Sequence, residues 1–299
     1  MMYADTFLPL DELLSQTEYA HPEKWNQKIL EAGRTDAGQM LLPLFYHYDQ
    51  YAFPKADVKS EEIPASWEEL RTCGNTRISS AMYMQAYRFY PLFSRLADFK
   101  KGVPAVTKEE IQKRADEAVE FIWNMEQQEI DTEGVIAGQG FYERLSAAEE
   151  AMSAAGFPNA EGGITAYVDA YAGINRNTKK AEEAFSFLDL LFSDEVLGGS
   201  GMTVGEKTMG QTLYYNAGAM VIYNPYRTAK FPGLSEENLS ALDEMEQHIN
   251  SVCFYSDLET NLEDMFWMYF QSCHRGEDRA VQTELVSKLY ETMQMKIAE

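Results

Sequence analysis

From residue 161 to 197 the chain reads EGGITAYVDAYAGINRNTKKAEEAFSFLDLLFSDEVL, and within those residues the hydrophobic period changes once. Ile164, Ala166, Val168 and Ala170 alternate with Thr165, Tyr167, Asp169 and Tyr171, the period of a strand with one apolar and one polar-aromatic face. Ala181, Ala184, Phe185, Leu188, Leu191 and Phe192 then recur at three and four. That spacing predicts a helix with one buried stripe, entered through a cap region at 175–178 and closed before Gly198 and Gly199.

The flanking sequence adds mostly helices. Ser66 and Glu69, Thr107 and Glu110, and Ser256 and Glu259 are each spaced as a capping box, in which a hydroxyl takes an N–H of the first turn and a carboxylate reaches back. Residues 8–14 predict a loop entering a short helix, 25–32 a second helix, 146–152 a short third and 235–249 a longer one. The aromatic-rich stretch 77–99 reads as helix bent near Pro91. Residues 40–46 read as a buried strand in which Pro43 argues for an edge or a crossing, and a further strand is expected at 218–223, after the glycine-rich 198–210. In the last helix Val281, Leu285, Leu289, Met293 and Ile297 form a core stripe, and Trp67, Trp123 and Trp267 are expected to pack inward. Strands separated by long helices make the fold class α/β with a helical excess.

A chain of 299 residues that is 45% hydrophobic can bury the core of two lobes or of one large domain. With 48 acidic against 25 basic residues, a net charge of -23, it lacks the basic patch that a nucleic-acid backbone demands. Cys73, Cys253 and Cys273 show no CxxC spacing and are expected reduced. His21, His47, His248 and His274 are not at metal-ligand spacings, and no metal or cofactor is expected. The sequence carries no GxSxG elbow, HExxH or P-loop, so no catalytic residue is assigned. No window approaches the roughly 18 apolar residues of a membrane helix. The opening MMYADTFLPLDELL has no basic region and is broken by Asp5, Pro9 and Asp11, so it is not read as a signal peptide or anchor.

GGITAYVDAYAGIN followed by NTKKAEEAFSFLDLLFSDE resembles the extracellular solute-binding proteins, family 1, of ABC importers, mostly receptors for sugars and oligosaccharides. In that family a strand returning toward the hinge ends in Ile-Asn or Ile-Ser, and the next helix carries Ala-Phe/Trp-x-Phe-Leu and ends in Ser-Asp/Glu-Glu. GQMLLPLFYHYDQYAFPKADVKSEEIPASWEEL, residues 38–70, is similar to the family's apolar strand with Leu-Pro, its aromatic run and its Trp-Glu-Glu helix start, and the terminal LYETMQMKIAE is a weaker match. The resemblance implies a two-lobe architecture of the periplasmic-binding-protein type II, with lobe 1 from 1–49 and 161–230 and lobe 2 from 50–160 and 231–299. It implies a carbohydrate ligand in the cleft, a membrane permease as partner, and an extracellular or lipid-anchored cell-surface location. In the family, strand-helix units of roughly 60 to 100 residues precede the segment like YADTFLPLDELL. Lobe 1 is therefore expected to be incomplete, which would leave the 40–46 strand and its neighbours with open edges.

Sugar binding without chemistry calls for aromatic faces over the C–H patches of a pyranose and for carboxylates or amides that accept its hydroxyls. Tyr46, His47, Tyr48 and Asp49 stand at the expected crossing, and Tyr167, Asp169 and Tyr171 share one face of the returning strand. Residues two apart in a strand are roughly 6.6 Å apart, so these last three span about two sugar rings. The same tyrosines also fit a lobe core with locally bonded hydroxyls. Two other functions stay open: a non-transport surface glycan-binding or degenerate receptor protein, and an α/β enzyme acting on glycans through paired carboxylates.

Overall fold

The computed structural model describes residues 6–20, 22, 26–98, 101–138, 141–193, 207–208, 219–224, 227–232 and 234–298. Among them the strand Ile164–Ala172 is inside a four-stranded sheet. Leu42–His47 pairs with it antiparallel, Ile249–Phe254 pairs with it parallel, and Lys207–Thr208 pairs antiparallel with Leu42–His47. Leu42–His47 therefore has partners on both sides, on the Lys207–Thr208 side at Phe45 and Tyr46, where the open edge expected at 40–46 is covered; the sheet's outer strands among the described residues are Lys207–Thr208 and Ile249–Phe254. Pro43 lacks an N–H, and the ladder shifts register between Pro43 and Phe45, where the missing donor is absorbed.

A second sheet places Gln50–Pro54 between Ile136–Ala137 and Met152–Gly156, all antiparallel. Only Tyr48 and Asp49 separate its central strand from Leu42–His47, so the chain passes from one sheet to the other within two residues. It returns through 157–163 into Ile164–Ala172, and Phe157 N–H donates to the Asp49 carbonyl at 3.1 Å, tying the two crossings together. Gly163 starts the returning strand at φ +126, with a β-carbon position 2.7 Å from the His248 carbonyl oxygen. A side chain there would meet both a strained backbone and a fixed oxygen.

Two apolar clusters flank these crossings. One joins Phe53, Trp67, Ile78, Phe89, Ile122, Phe266 and Ile297; the other joins Leu42, Tyr46, Ala166, Val168, Phe185, Leu242 and Ile249. Phe141, Met152 and Leu242, from segments expected in lobe 2, pack in the cluster that holds the Leu42–His47 strand. The capping boxes at Thr107–Glu110 and Ser256–Glu259 form in full, and Ser66 caps Trp67–Arg71 while Glu69 takes the Ala65 N–H.

Several local expectations change. Helix Thr76–Ala86 stops five residues before Pro91, because the chain turns at Phe89 instead of bending at the proline. The helix expected at 146–152 is a helix Phe141–Ser146 followed by a strand Met152–Gly156. The 235–249 helix ends at Gln247 and gives way to the unexpected strand Ile249–Phe254. Asn175 and Thr178 make turns ahead of helix Ala181–Leu190 but do not cap it; Lys180 holds that position without a side-chain bond. Trp267 is 51% exposed, and the terminal stripe runs through Val286, Leu289, Met293 and Ile297 while Val281 faces solvent. Trp25 and most of 198–210 lie outside the described residues.

Candidate functional site

Where the chain changes sheet, residues 47–51 line a cleft of about 400 Å³. Ala81, Met84, Gln85 and Arg88 close it from helix Thr76–Ala86 and the turn beyond, and Ala137 of the second sheet closes it with Gly138 and with Phe141 of helix Phe141–Ser146. A smaller pocket of about 140 Å³ beneath Ile63, Ala155, Ile164 and Met245 has no Tyr, Phe or Trp in its lining to stack on a sugar ring.

The period of the Leu42–His47 strand decides which expected residues meet. Tyr46 is 2% exposed and belongs to the cluster of Ala166 and Val168, whereas His47 turns to the other face and stacks on Tyr167 at 5.6 Å. Tyr46 and Tyr167 thus lie on neighbouring strands but on opposite faces of the sheet, and do not face one another across a cleft. Tyr48 is also buried; it reaches the cleft wall and its hydroxyl donates to Glu246 at 3.2 Å. Tyr167 is 3% exposed and donates to the Tyr90 carbonyl at 3.2 Å, so it floors the site instead of presenting a free ring.

Asp169 and Tyr171 follow on the same face, where the strand emerges into solvent. Asp169 Oδ2 meets His47 Nδ1 at 2.7 Å, a diagonal pair across two strands, and Tyr171, 49% exposed, packs edge-on against Phe254. Together with Asp49 these residues form one surface running from the returning strand to the cleft.

Three contributors to that surface were not singled out in the sequence. Phe89 has φ +64 and ψ -44, and Tyr90 N–H bonds the Arg88 carbonyl at 2.6 Å, the geometry of a strained γ-turn. Stacking of the wholly buried Phe89 on Phe266 at 4.4 Å offsets that strain, and the turn sends Arg88 to the cleft and Tyr90 edge-on under Tyr167. Tyr255, at the end of Ile249–Phe254, stands 6.0 Å from His47 and 5.7 Å from Tyr90. The position of Tyr255 just before the Ser256 capping box was readable, but that it stands at a strand's carboxyl end, where ligands of α/β sheets gather, was not, because the strand Ile249–Phe254 was not expected.

Asp49 accepts from Gln85 Nε2, and its half-buried carboxyl titrates above the ordinary value because burial outweighs Arg88, His47 and the Gln85 bond, which pull it down. A raised folded-state value means stability that is fully present below the unfolded value of about 3.9 and lost as pH rises through the folded one. Asp49→Asn removes that loss. Its melting temperature should exceed wild type at pH 7, with the gap closing toward pH 4; a variant no more stable than wild type at pH 7 would contradict the assignment.

No family model and no curated protein matches the chain. Solved structures do. An extracellular solute-binding protein family 1 from Alicyclobacillus acidocaldarius matches at 11% identity and TM-score 0.58, over 99% of this chain and 80% of that one. A sugar-binding protein from Xanthomonas citri matches at 11% identity and TM-score 0.54, over 98% and 80%. A periplasmic oligogalacturonide binding protein from Yersinia enterocolitica matches at 13% identity and TM-score 0.51, over 97% and 80%. The chain has the solute-binding protein fold. This fold is a two-lobe α/β architecture, and the chain spans about 80% of the length of these neighbours. The neighbours are mostly binding proteins, although a de novo designed cysteine esterase matches at TM-score 0.56 and 11% identity, over 99% and 81%. No helix among the described residues is long and apolar enough to cross a membrane.

Proposed function

We propose that this protein is the carbohydrate-binding receptor of an ABC importer, holding a sugar or oligosaccharide between two lobes without turning it over. The observation that carries the reading is the surface at the paired crossings, where the exposed rings of Tyr171 and Tyr255 and the partly exposed ring of His47, floored by the buried Tyr90 and Tyr167, stand beside Asp49, Asp169 and Arg88. Aromatic faces cover the apolar side of a pyranose, and carboxylates and a guanidinium pair with its hydroxyls. Similarity to a sugar-binding protein and an oligogalacturonide binding protein supports that ligand class. The lobes are 1–49 with 161–230 and 50–160 with 231–299, and the crossings at 48–49 and 157–163 act as the hinge. Ligand contacts come from His47, Asp49, Asp169 and Tyr171, with Tyr48 and Tyr167 as wall and floor and Tyr46 supporting the strand from its other face. The closed form is presented to a membrane permease from an extracellular, lipid-anchored position.

Closure around a ligand shortens the molecule. Titration with maltotriose, xylotriose and digalacturonate, followed by small-angle scattering, should show saturable binding of at least one of them with a smaller radius of gyration and no new product. Binding without compaction would favour a surface glycan-binding protein, product formation an enzyme, and no binding by any of them would end the carbohydrate reading.

A further inference from the structure

Gln50 begins the strand Gln50–Pro54, is 7% exposed, and lines the cleft. Its Oε1 is buried and has no hydrogen-bond partner among the described residues. Buried amide oxygens are nearly always bonded, because an unpaired one keeps its full desolvation cost. The neighbouring donors are committed elsewhere: Gln85 Nε2 to Asp49, the Tyr48 hydroxyl to Glu246, and His47 to Asp169. Arg88 donates one long bond among the described residues, 3.3 Å, to the Tyr90 hydroxyl. At the rim, Gly138 has φ +67, and no described atom outside its chain neighbours lies within 4 Å of where a β-carbon would stand.

We propose that Gln50 is a ligand-binding residue, and that its amide oxygen accepts a hydroxyl hydrogen from the part of the ligand that enters deepest at the crossing. The inference rests on the carbohydrate reading and adds to it: besides the solvent-facing contacts at Asp169 and Tyr171, the ligand delivers a donor to a prearranged acceptor between the sheets. A group placed to bind a ligand and left unsatisfied by the protein lowers the stability of the free chain, a trade that a structural glutamine does not make.

Gln50→Met, nearly isosteric, and Gln50→Leu both remove the amide. Without ligand, each should melt about one to three degrees above wild type. Titrated with whichever of maltotriose, xylotriose or digalacturonate binds wild type, each should bind roughly tenfold more weakly or worse. Variants that melt lower than wild type, or fail to fold, would show the amide to be structural and overturn the proposal. Variants that bind as wild type does would overturn it while leaving the carbohydrate reading intact. A wild-type chain that binds none of the three removes that reading and this role together.

Discussion

Trp67→Ala should destabilise the fold by about 3–5 kcal/mol, the range for deleting a large buried aromatic. Trp67 is fully buried at the first turn of Trp67–Arg71, edge-on to Phe121 at 5.2 Å and 6.3 Å from Phe157. Its indole N–H donates to Glu117 at 3.1 Å, and its backbone N–H donates to the Asn159 carbonyl at 3.0 Å. Phe157 and Asn159 belong to the second crossing, so the ring supports that connection as well as the helix layer. Glu117 keeps Arg114 at 2.8 Å when the indole is gone, which limits the electrostatic part of the loss and leaves the cavity as its main cause. Denaturant unfolding measures this directly. A loss below about 1 kcal/mol would mean that the core around Phe121 and Phe157 collapses to fill the space. Trp67→Phe, which keeps a ring but not the donor, should fall between the two.

Asp169→Ala should weaken glycan binding by roughly tenfold or more, since losing a hydrogen bond to a charged group in a ligand-covered place typically costs about 1.5–3 kcal/mol. The melting temperature should barely move. Asp169 is where the returning strand emerges into solvent, and its pair with His47 is partly exposed, an arrangement worth about 0–1 kcal/mol. Among the described residues His47 meets Oδ2 and leaves Oδ1 for a ligand hydroxyl, so the pair orients the carboxylate without consuming it. Calorimetric titration beside a thermal melt separates the two roles. Unchanged binding with a large drop in stability would show that this carboxylate serves the sheet alone.

What the sequence determined by itself is local. The alternation from Ile164, the stripe from Ala181 to Leu188 and the capping boxes at Thr107 and Ser256 each depend on residues within one or two turns of one another, and each is found as expected. The returning strand was legible for the same reason, and with it the solvent-facing Asp169 and Tyr171; the crossing near Tyr48 and Asp49 rested on the family resemblance, and the strand Gln50–Pro54 that makes it a two-residue link was not read from the sequence.

Only tertiary structure decided which face is covered. A period of two places Tyr46 and His47 on opposite faces, but packing from Phe185 and Leu242 buries the first, while Tyr90 and Tyr255 gather around the second from far along the chain. Strand Ile249–Phe254 was hidden because its parallel partner, Ile164–Ala172, lies some eighty residues earlier, and a helical pattern runs straight into it. Arg88 reaches the cleft through a backbone turn at Phe89 that no local propensity favours and that the Phe266 stack holds in place. Gln50 could not be noticed at all from sequence, since an unpaired amide is defined by the absence of neighbours, and neighbours exist only in the folded chain.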